Sequence, residues 1–388
     1  MRFFALMLAP LAFTTGVFVF AGVLTPMAED LGTSIGKAGQ LQSLFTITCA
    51  ICGPILAILT GKFDRKALLL LTLAYLTVMN AASALMPGFT GLAVSRALTG
   101  AFGALALPLA STIAVSLVGP EKRARALAVV YGGVTLAFLS GIPLGSAIGE
   151  IYGWRSSFWL ASGLCAVALL MTLAFVPRVP TPPAPPKGAF KAVMTWPTTG
   201  YLLVTLLAFA AIFVVIGFVR PVVSSLTGFD GRGVGLVQMI SGLGSFLGLV
   251  IGTRMVETGA RGPLIWLFAA IAVAQTVFAV ALIGGWSGQP GLVASVTAML
   301  IGSASLFATA PIVQSRLAEA AGPAAMLAFA LNGSMVYLGQ GSGVILGGVM
   351  LSTAGLIYIS TAGIAVAAAG LLLALRLRAQ RDLPLPAQ

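Results

Sequence analysis

No histidine occurs among the 388 residues, and aspartate and glutamate together number nine. A hydrolase working inside a membrane needs a nucleophile with a base or a metal beside it. These two scarcities leave almost nothing from which to assemble one. Charge of either sign is sparse: Asp, Glu, Lys and Arg make up 8% of the chain, whereas a soluble domain carries about 25%. That excludes an ordinary water-soluble fold, because a chain that is 59% hydrophobic cannot hide so much apolar side chain inside a particle of this size. Cysteine is limited to Cys49, Cys52 and Cys165, all within apolar runs. Cys49-Ala-Ile-Cys52 has the spacing of a redox or metal pair, but without other ligands it reads as small-residue packing. No enzymatic activity, cofactor or metal is expected.

What the chain does have is length in its apolar runs, at a mean hydropathy of +1.07. A spanning helix needs about 20 mostly apolar residues to cross about 30 Å of hydrocarbon. Eight charge-free runs have that single length: 3–28, 38–61, 67–95, 97–120, 126–149, 156–177, 192–220 (up to Arg220) and 233–253. Two are double, 262–315 and 320–375. Each double run holds a turn signal, Gly284-Gly285-Trp286-Ser287-Gly288-Gln289-Pro290 in one and Ser352-Thr353-Ala354-Gly355 in the other. Twelve spans result. The runs are continuous rather than alternating, which selects helices over barrel strands. The first run is too long for a secretory h-region and is kept as span 1. The fold class is therefore all-α and membrane-embedded.

The net charge of +12 follows from topology and implies no nucleic-acid partner. With the N-terminus inside, 16 of the 21 Lys and Arg fall on cytoplasmic loops and tails, as the positive-inside rule requires. Both termini are thus expected in the cytoplasm. A proline-rich stretch, Pro177 to Pro186, follows the sixth span and cannot be helical. It divides the chain into a six-helix bundle at 1–177, a linker at 178–198, a second bundle at 199–376 and a tail at 377–388.

Local patterns repeat across this divide. Gly22-Val-Leu-Thr-Pro26 ends span 1 and Gly217-Phe-Val-Arg-Pro221 ends span 7, an offset of 195. Lys62-Phe63-Asp64 after span 2 is echoed by Arg254-Met255-Val256-Glu257 after span 8. Gly141, Gly145 and Gly149 in span 5 match Gly339, Gly343 and Gly347 in span 11, an offset of 198. Each match pairs span n with span n+6. Parallel repeats of this kind are a transporter architecture with the site near midplane between the halves. Glycines at i, i+4 and i+8 leave a groove where another backbone approaches closely, read either as static packing or as a smooth face on which the halves rock.

These residues resemble the major facilitator superfamily, and within it the short bacterial drug and sugar (arabinose-type) efflux transporters. Gly61-Lys62-Phe63-Asp64-Arg65-Lys66 is similar to the family's loop signature between spans 2 and 3, with Asp64 one place early and Ala67 where a second Gly usually stands. Arg254 to Gly259 resembles its second-half copy, with Glu257 in the acidic place. Arg96-Ala-Leu-Thr-Gly100 resembles the buried-Arg motif, and Gly141-Ile-Pro143-Leu-Gly145 with Gly149 the exporter signature. The resemblance implies two pseudo-symmetric six-helix bundles, gating loops at Gly61, Asp64, Arg65, Arg254 and Glu257, and a cavity lined by spans 1, 4, 7 and 10. The residues that would line it are Phe13, Val17, Phe18, Arg96, Gly100, Phe209, Phe213, Arg220, Ser303 and Phe307, with Asn332 of span 11 added. Many relatives carry an acid in span 1 where this chain has Val17.

Arg96 is the one Lys or Arg deep in a span, and an Arg at mid-bilayer costs about 2.5–3.5 kcal/mol on insertion scales. It either lines the pathway or bonds neighbouring helix carbonyls. All nine acids map to loops or helix ends, so transport would have to use a boundary acid such as Asp30 or Glu150, or Arg96 with water, or a different driving force. The expectation is a monomeric bacterial inner-membrane exporter of a small organic solute, a drug, sugar or nucleoside-like molecule, with proton coupling left open. The alternative is an uptake system or facilitator for a small organic anion.

Overall fold

A computed structural model describes residues 1–179, 193–196, 198–260 and 262–381. The prolines from 180 to 186, Lys187, Lys191, Arg261 and the last seven residues, Asp382 among them, lie outside the described residues. Among the described residues, twelve helices are long and apolar enough to cross a membrane: α1 Arg2–Asp30, α2 Ile35–Leu59, α3 Arg65–Leu85, α4 Phe89–Ser116, α5 Arg125–Tyr152, α6 Arg155–Phe175, α7 Thr198–Ile216, α8 Gly231–Glu257, α9 Pro263–Ile283, α10 Gln289–Ala321, α11 Ala325–Thr353 and α12 Ile359–Arg381. A short helix, Val219–Thr227, continues α7. No strand occurs among the described residues.

One boundary moves. The run expected to end at Ser95 breaks earlier, at Met86 and Pro87, and α4 starts at Phe89. Proline supplies no N–H and biases the residue before it away from helical backbone. Arg96 therefore sits two turns inside α4, within a span as expected.

The helices form two six-helix bundles with matching internal contacts. In the first, α1 packs on α5 and α6, α2 on α4, and α3 on α6; in the second, α7 packs on α11 and α12, α8 on α10, and α9 on α12. The glycine triplets explain the closest of these. A methyl group on Gly141, Gly145 or Gly149 would strike Thr15, Val19 or Val23 of α1. On Gly339, Gly343 or Gly347 it would strike the carbonyls of Leu206, Ala210 or Val214 of α7. Both triplets thus lie inside their own half, against α1 and against α7. The rocking-face reading of these six glycines is corrected accordingly: side-chain-free grooves serve tight contact within each bundle.

Contact between the halves is made by α2 with α11 and α5 with α8, through other glycines. A Cβ on Gly36 would lie 3.2 Å from the Gly348 carbonyl oxygen, and one on Gly341 2.8 Å from Thr46 Oγ1. On α8, a Cβ at Gly235 would sit 3.0 Å from the Pro143 carbonyl oxygen. These meetings fall in the first half of α2 and of α8, at the end of the molecule opposite the N-terminus.

Candidate functional site

The site begins with two broken helices. In α1 the residues Val19–Val23 tighten into a 3₁₀ turn before the helix resumes at Leu24. In α7 the break falls at Gly217 and Phe218, and helix resumes at Val219. Both breaks coincide with the Gly…Pro repeat and share a cause. Pro26 and Pro221 lack the N–H that would bond the carbonyl four residues back, which is Gly22 in one case and Gly217 in the other.

The Gly22 carbonyl takes a donor from the other half instead. Arg220 Nη1 donates to it at 2.8 Å and to Glu150 Oε2 at 2.5 Å. The Arg220 and Glu150 side chains are 12% and 26% exposed, so water screens the pair only in part. Gly231 permits the approach, since a Cβ there would collide with Glu150 and lie 2.7 Å from Arg220 Nη1. One level deeper, Ser146 Oγ donates to Gln238 Oε1 at 2.8 Å, from α5 to α8. Two polar latches therefore tie the halves at this end.

Beneath them the halves meet through aromatic rings. Phe209 stacks on Phe213 at 6.1 Å, Phe213 meets Phe18 at 5.4 Å, Phe18 meets Phe138 at 5.3 Å, and Phe138 meets Phe307 edge-on at 5.6 Å. The row crosses from α7 to α1 and α5 and back to α10. Phe138 lies in a π turn, Ala137–Gly141, just before Pro143, which withholds its N–H from the Leu139 carbonyl. Such wide turns often mark functional positions. A cleft beside this row is walled by Phe18, Phe138, Gln238, Ser241, Ile216 and Met299, drawn from both halves.

A chain-wide comparison decides what this architecture is. The Major Facilitator Superfamily profile matches residues 4–325. The chain belongs to the Major Facilitator Superfamily. It is a transporter and not an enzyme. Among its relatives are the inner membrane transport protein YdhP of Escherichia coli (29% identical, 93% of this chain and 92% of that one), the chloramphenicol resistance protein of Streptomyces lividans (30%, 68% and 70%) and the purine ribonucleoside efflux pump NepI of Escherichia coli (27%, 87% and 84%). A crystal structure of a bacterial homologue of the human lysosomal transporter Spinster, titled as inward-facing and unoccupied, shares the fold at TM-score 0.75 and 16% identity, covering 100% of this chain and 98% of that one.

Against this superfamily fold, the residues expected to line the cavity separate into groups. Phe18, Phe209, Phe213 and Phe307 stand in the aromatic row. Ser303 lines a second cleft in the C-terminal bundle. Phe13 contacts Phe45 and, across the halves, Tyr337, and Val17 is buried in α1. Arg220 holds the latch. Arg96 is fully buried in the N-terminal bundle: Nη2 donates to the Gly16 carbonyl at 3.0 Å, and the guanidinium lies 4.3 Å from the Phe45 ring and 5.4 Å from Phe158. It joins α4 to α1, α2 and α6. Gly100 lets α2 close on α4, where a Cβ would meet the Phe45 carbonyl. Asn332 Oδ1 accepts from Thr205 Oγ1 at 2.6 Å, binding α11 to α7.

The loop residues are at the other end. Asp64 caps α3 by accepting from the Ala67 N–H at 2.7 Å, and Arg65 donates to the Gly61 carbonyl at 3.2 Å. Arg254 and Glu257 end α8, both exposed. Of the two boundary acids, Asp30 bonds Arg155 at 2.6 Å and Trp154 at 3.0 Å inside its own half, whereas Glu150 reaches across. Phe138, Ser146, Gln238, Ser241 and the Gly22 carbonyl were not singled out by sequence. The available signals were glutamine inside an apolar run and a proline four residues past a glycine.

Proposed function

We propose that this transporter exports a small organic solute across the bacterial inner membrane by alternating access, with both termini in the cytoplasm. The carrying observation is that the halves are latched at one end only by contacts they can exchange: Arg220 with Glu150 and Gly22, and Ser146 with Gln238. With the termini cytoplasmic, the latched end faces outward and the path opens inward, the state that receives a solute for export. The efflux activity named for the relative at 27% identity supports the direction, and the drug resistance named for the one at 30% is in keeping with it. The loops carrying Gly61, Asp64, Arg65, Arg254 and Glu257 would then meet in the opposite state. The test is accumulation: cells overexpressing the chain should retain less of at least one solute in a broad panel of drugs, sugars and nucleosides. Equal retention of every solute in both strains refutes export.

Glu150 is the carboxylate on which coupling would turn. Neutralising it removes the charge that holds Arg220, so proton uptake from outside and opening outward would occur together. The rival reading, uptake or facilitated passage of a small organic anion, rests on Arg96 and on the absence of a carboxylate deep in the spans. Counterflow in vesicles with and without a pH gradient separates the two.

A further inference from the structure

The latch joins α7 to α1, because Arg220 donates to the Gly22 carbonyl as well as to Glu150. Each of these helices is held inside its own half by a side-chain donor. Arg96 Nη2 of α4 donates to the Gly16 carbonyl of α1 at 3.0 Å, and Gln275 Nε2 of α9 donates to the Ala211 carbonyl of α7 at 2.6 Å. Gly16 and Ala211 stand 195 residues apart, the offset of Gly22 and Gly217, and each lies six residues ahead of that glycine. The two ties therefore grip the same carbonyl in the two copies of the repeat.

They come from different helices. Gln275 has its own counterpart at the 195 offset, Asn80 of α3. The Asn80 amide lies against α1, with Oδ1 3.4 Å from where a Cβ on Gly16 would stand. Its Nδ2 donates to the Leu76 carbonyl of its own helix at 2.8 Å, with Cys165 Sγ at 3.9 Å. One methylene longer, Gln275 reaches across. Gly363 of α12, 198 residues beyond Cys165, makes room for it: a Cβ there would sit 2.6 Å from Gln275 Cδ and 3.0 Å from the Ala211 carbonyl oxygen. In the first half the shorter amide leaves Gly16 to Arg96.

The Ala211 carbonyl lies within α7, where the helix supplies a donor four residues on, so it does not depend on Gln275 for a partner. The tie also has a cost. Gln275 is 2% exposed and buries an Oε1 that has no hydrogen-bond partner among the described residues. Buried atoms of that kind are rare and each calls for an explanation. Packing alone would be served by methionine, which has the same length and no amide.

We infer that Gln275 is a positioning residue for the latch between the halves. By fixing α7 to α9 at Ala211, it sets the height and rotation at which α7 presents Arg220, nine residues further on, to Glu150 and Gly22. Arg96 does the same for α1, which presents the Gly22 carbonyl. The inference rests on the exporter reading only in taking this latch as the outer gate.

The test uses the full chain in lipid nanodiscs, with Cys49, Cys52 and Cys165 replaced and spin labels at positions 33 and 229. Gln275→Met keeps the length of the side chain and removes the donor. Gln275→Glu keeps both, because a carboxyl buried here stays neutral and donates through its O–H. The ratio of latched to open protein should fall about three- to tenfold in Gln275→Met, the size of one hydrogen bond. In Gln275→Glu it should stay at the parental value. The melting temperature of Gln275→Met should be equal or higher, since the unpaired Oε1 goes with the donor. A residue that merely packs would lower the melting temperature and leave the distances alone. The inference fails if Gln275→Met latches like the parent, or if Gln275→Glu opens as readily as Gln275→Met. No solute enters these measurements, so cells that retain every solute equally would overturn export and leave Gln275 in this role.

Discussion

Two arginines carry most of what can be tested one residue at a time. Arg96 is buried between two rings with a helix carbonyl on its fork, so removing it deletes a desolvated cation–π contact and a charge-assisted hydrogen bond. Arg96→Ala should insert normally, lose on the order of 3 kcal/mol of bundle stability and abolish transport. A melting curve and a vesicle assay on the same preparation check both halves of that statement, and an unaffected rate reduces Arg96 to packing. Arg220 and Glu150 work differently, because their bond lies between the halves and must break in each cycle. Glu150→Gln keeps an acceptor but discards the charge. The outward end should open more often, by roughly tenfold, seen as longer spin-label distances between positions 33 and 229. Transport by this variant should also ignore an imposed pH gradient. Full coupling in Glu150→Gln would remove this carboxylate from the proton path.

At the level of helices, the sequence was readable wherever one local pattern dictates backbone. The twelve spans follow from apolar length, and the 195-residue repeat turned out to mark the two helix breaks, because a proline deprives the same carbonyl in each copy. The glycine triplets were visible, but their partners were not: i, i+4 spacing names a face and not the helix it meets. Arg96 shows the same limit. Its cost in a bilayer required a partner, and only packing revealed that rings and a carbonyl inside one bundle supply it. Phe138 and Gln238 became site residues through a π turn and a cross-bundle contact that no periodicity announces. The grooves give a direct prediction. In Gly343→Ala the new methyl would stand 2.5 Å from the Ala210 carbonyl oxygen and 3.0 Å from Phe213 Cβ. Overpacking of this sort costs about 1–3 kcal/mol and displaces Phe213 from the aromatic row. Its mirror, Gly145→Ala, collides with Val19 in α1. Both should lower the melting temperature, and a variant that melts like the parent would mean that α1 and α7 are not packed this tightly.

For the whole molecule, the two bundles behave as rigid bodies only if the contacts between them are the ones that change. The structure separates these sets cleanly. The closest contacts inside each half are backbone against glycine and leave no room to slide, whereas those between halves are glycine crossings, ring contacts and two polar latches. A covalent bridge across the crossing of α2 and α11 should therefore stop the cycle without disturbing either bundle. At Gly36 a Cβ would lie 3.9 Å from the Cα of Gly348, so the two Cα atoms are at most about 5.4 Å apart (that distance plus one C–C bond), inside the Cα separation that a disulfide accepts; a Cβ at Gly348 would press chiefly on the flexible end of Gln40. With Cys49, Cys52 and Cys165 replaced, the pair Gly36→Cys and Gly348→Cys should cross-link on oxidation in the state latched here. Oxidised protein should retain ligand access from the side of the termini, lose net transport, and regain it on reduction. Transport at the parental rate through a fully oxidised pair is incompatible with opening at that end, and alternating access of the two bundles would have to be abandoned.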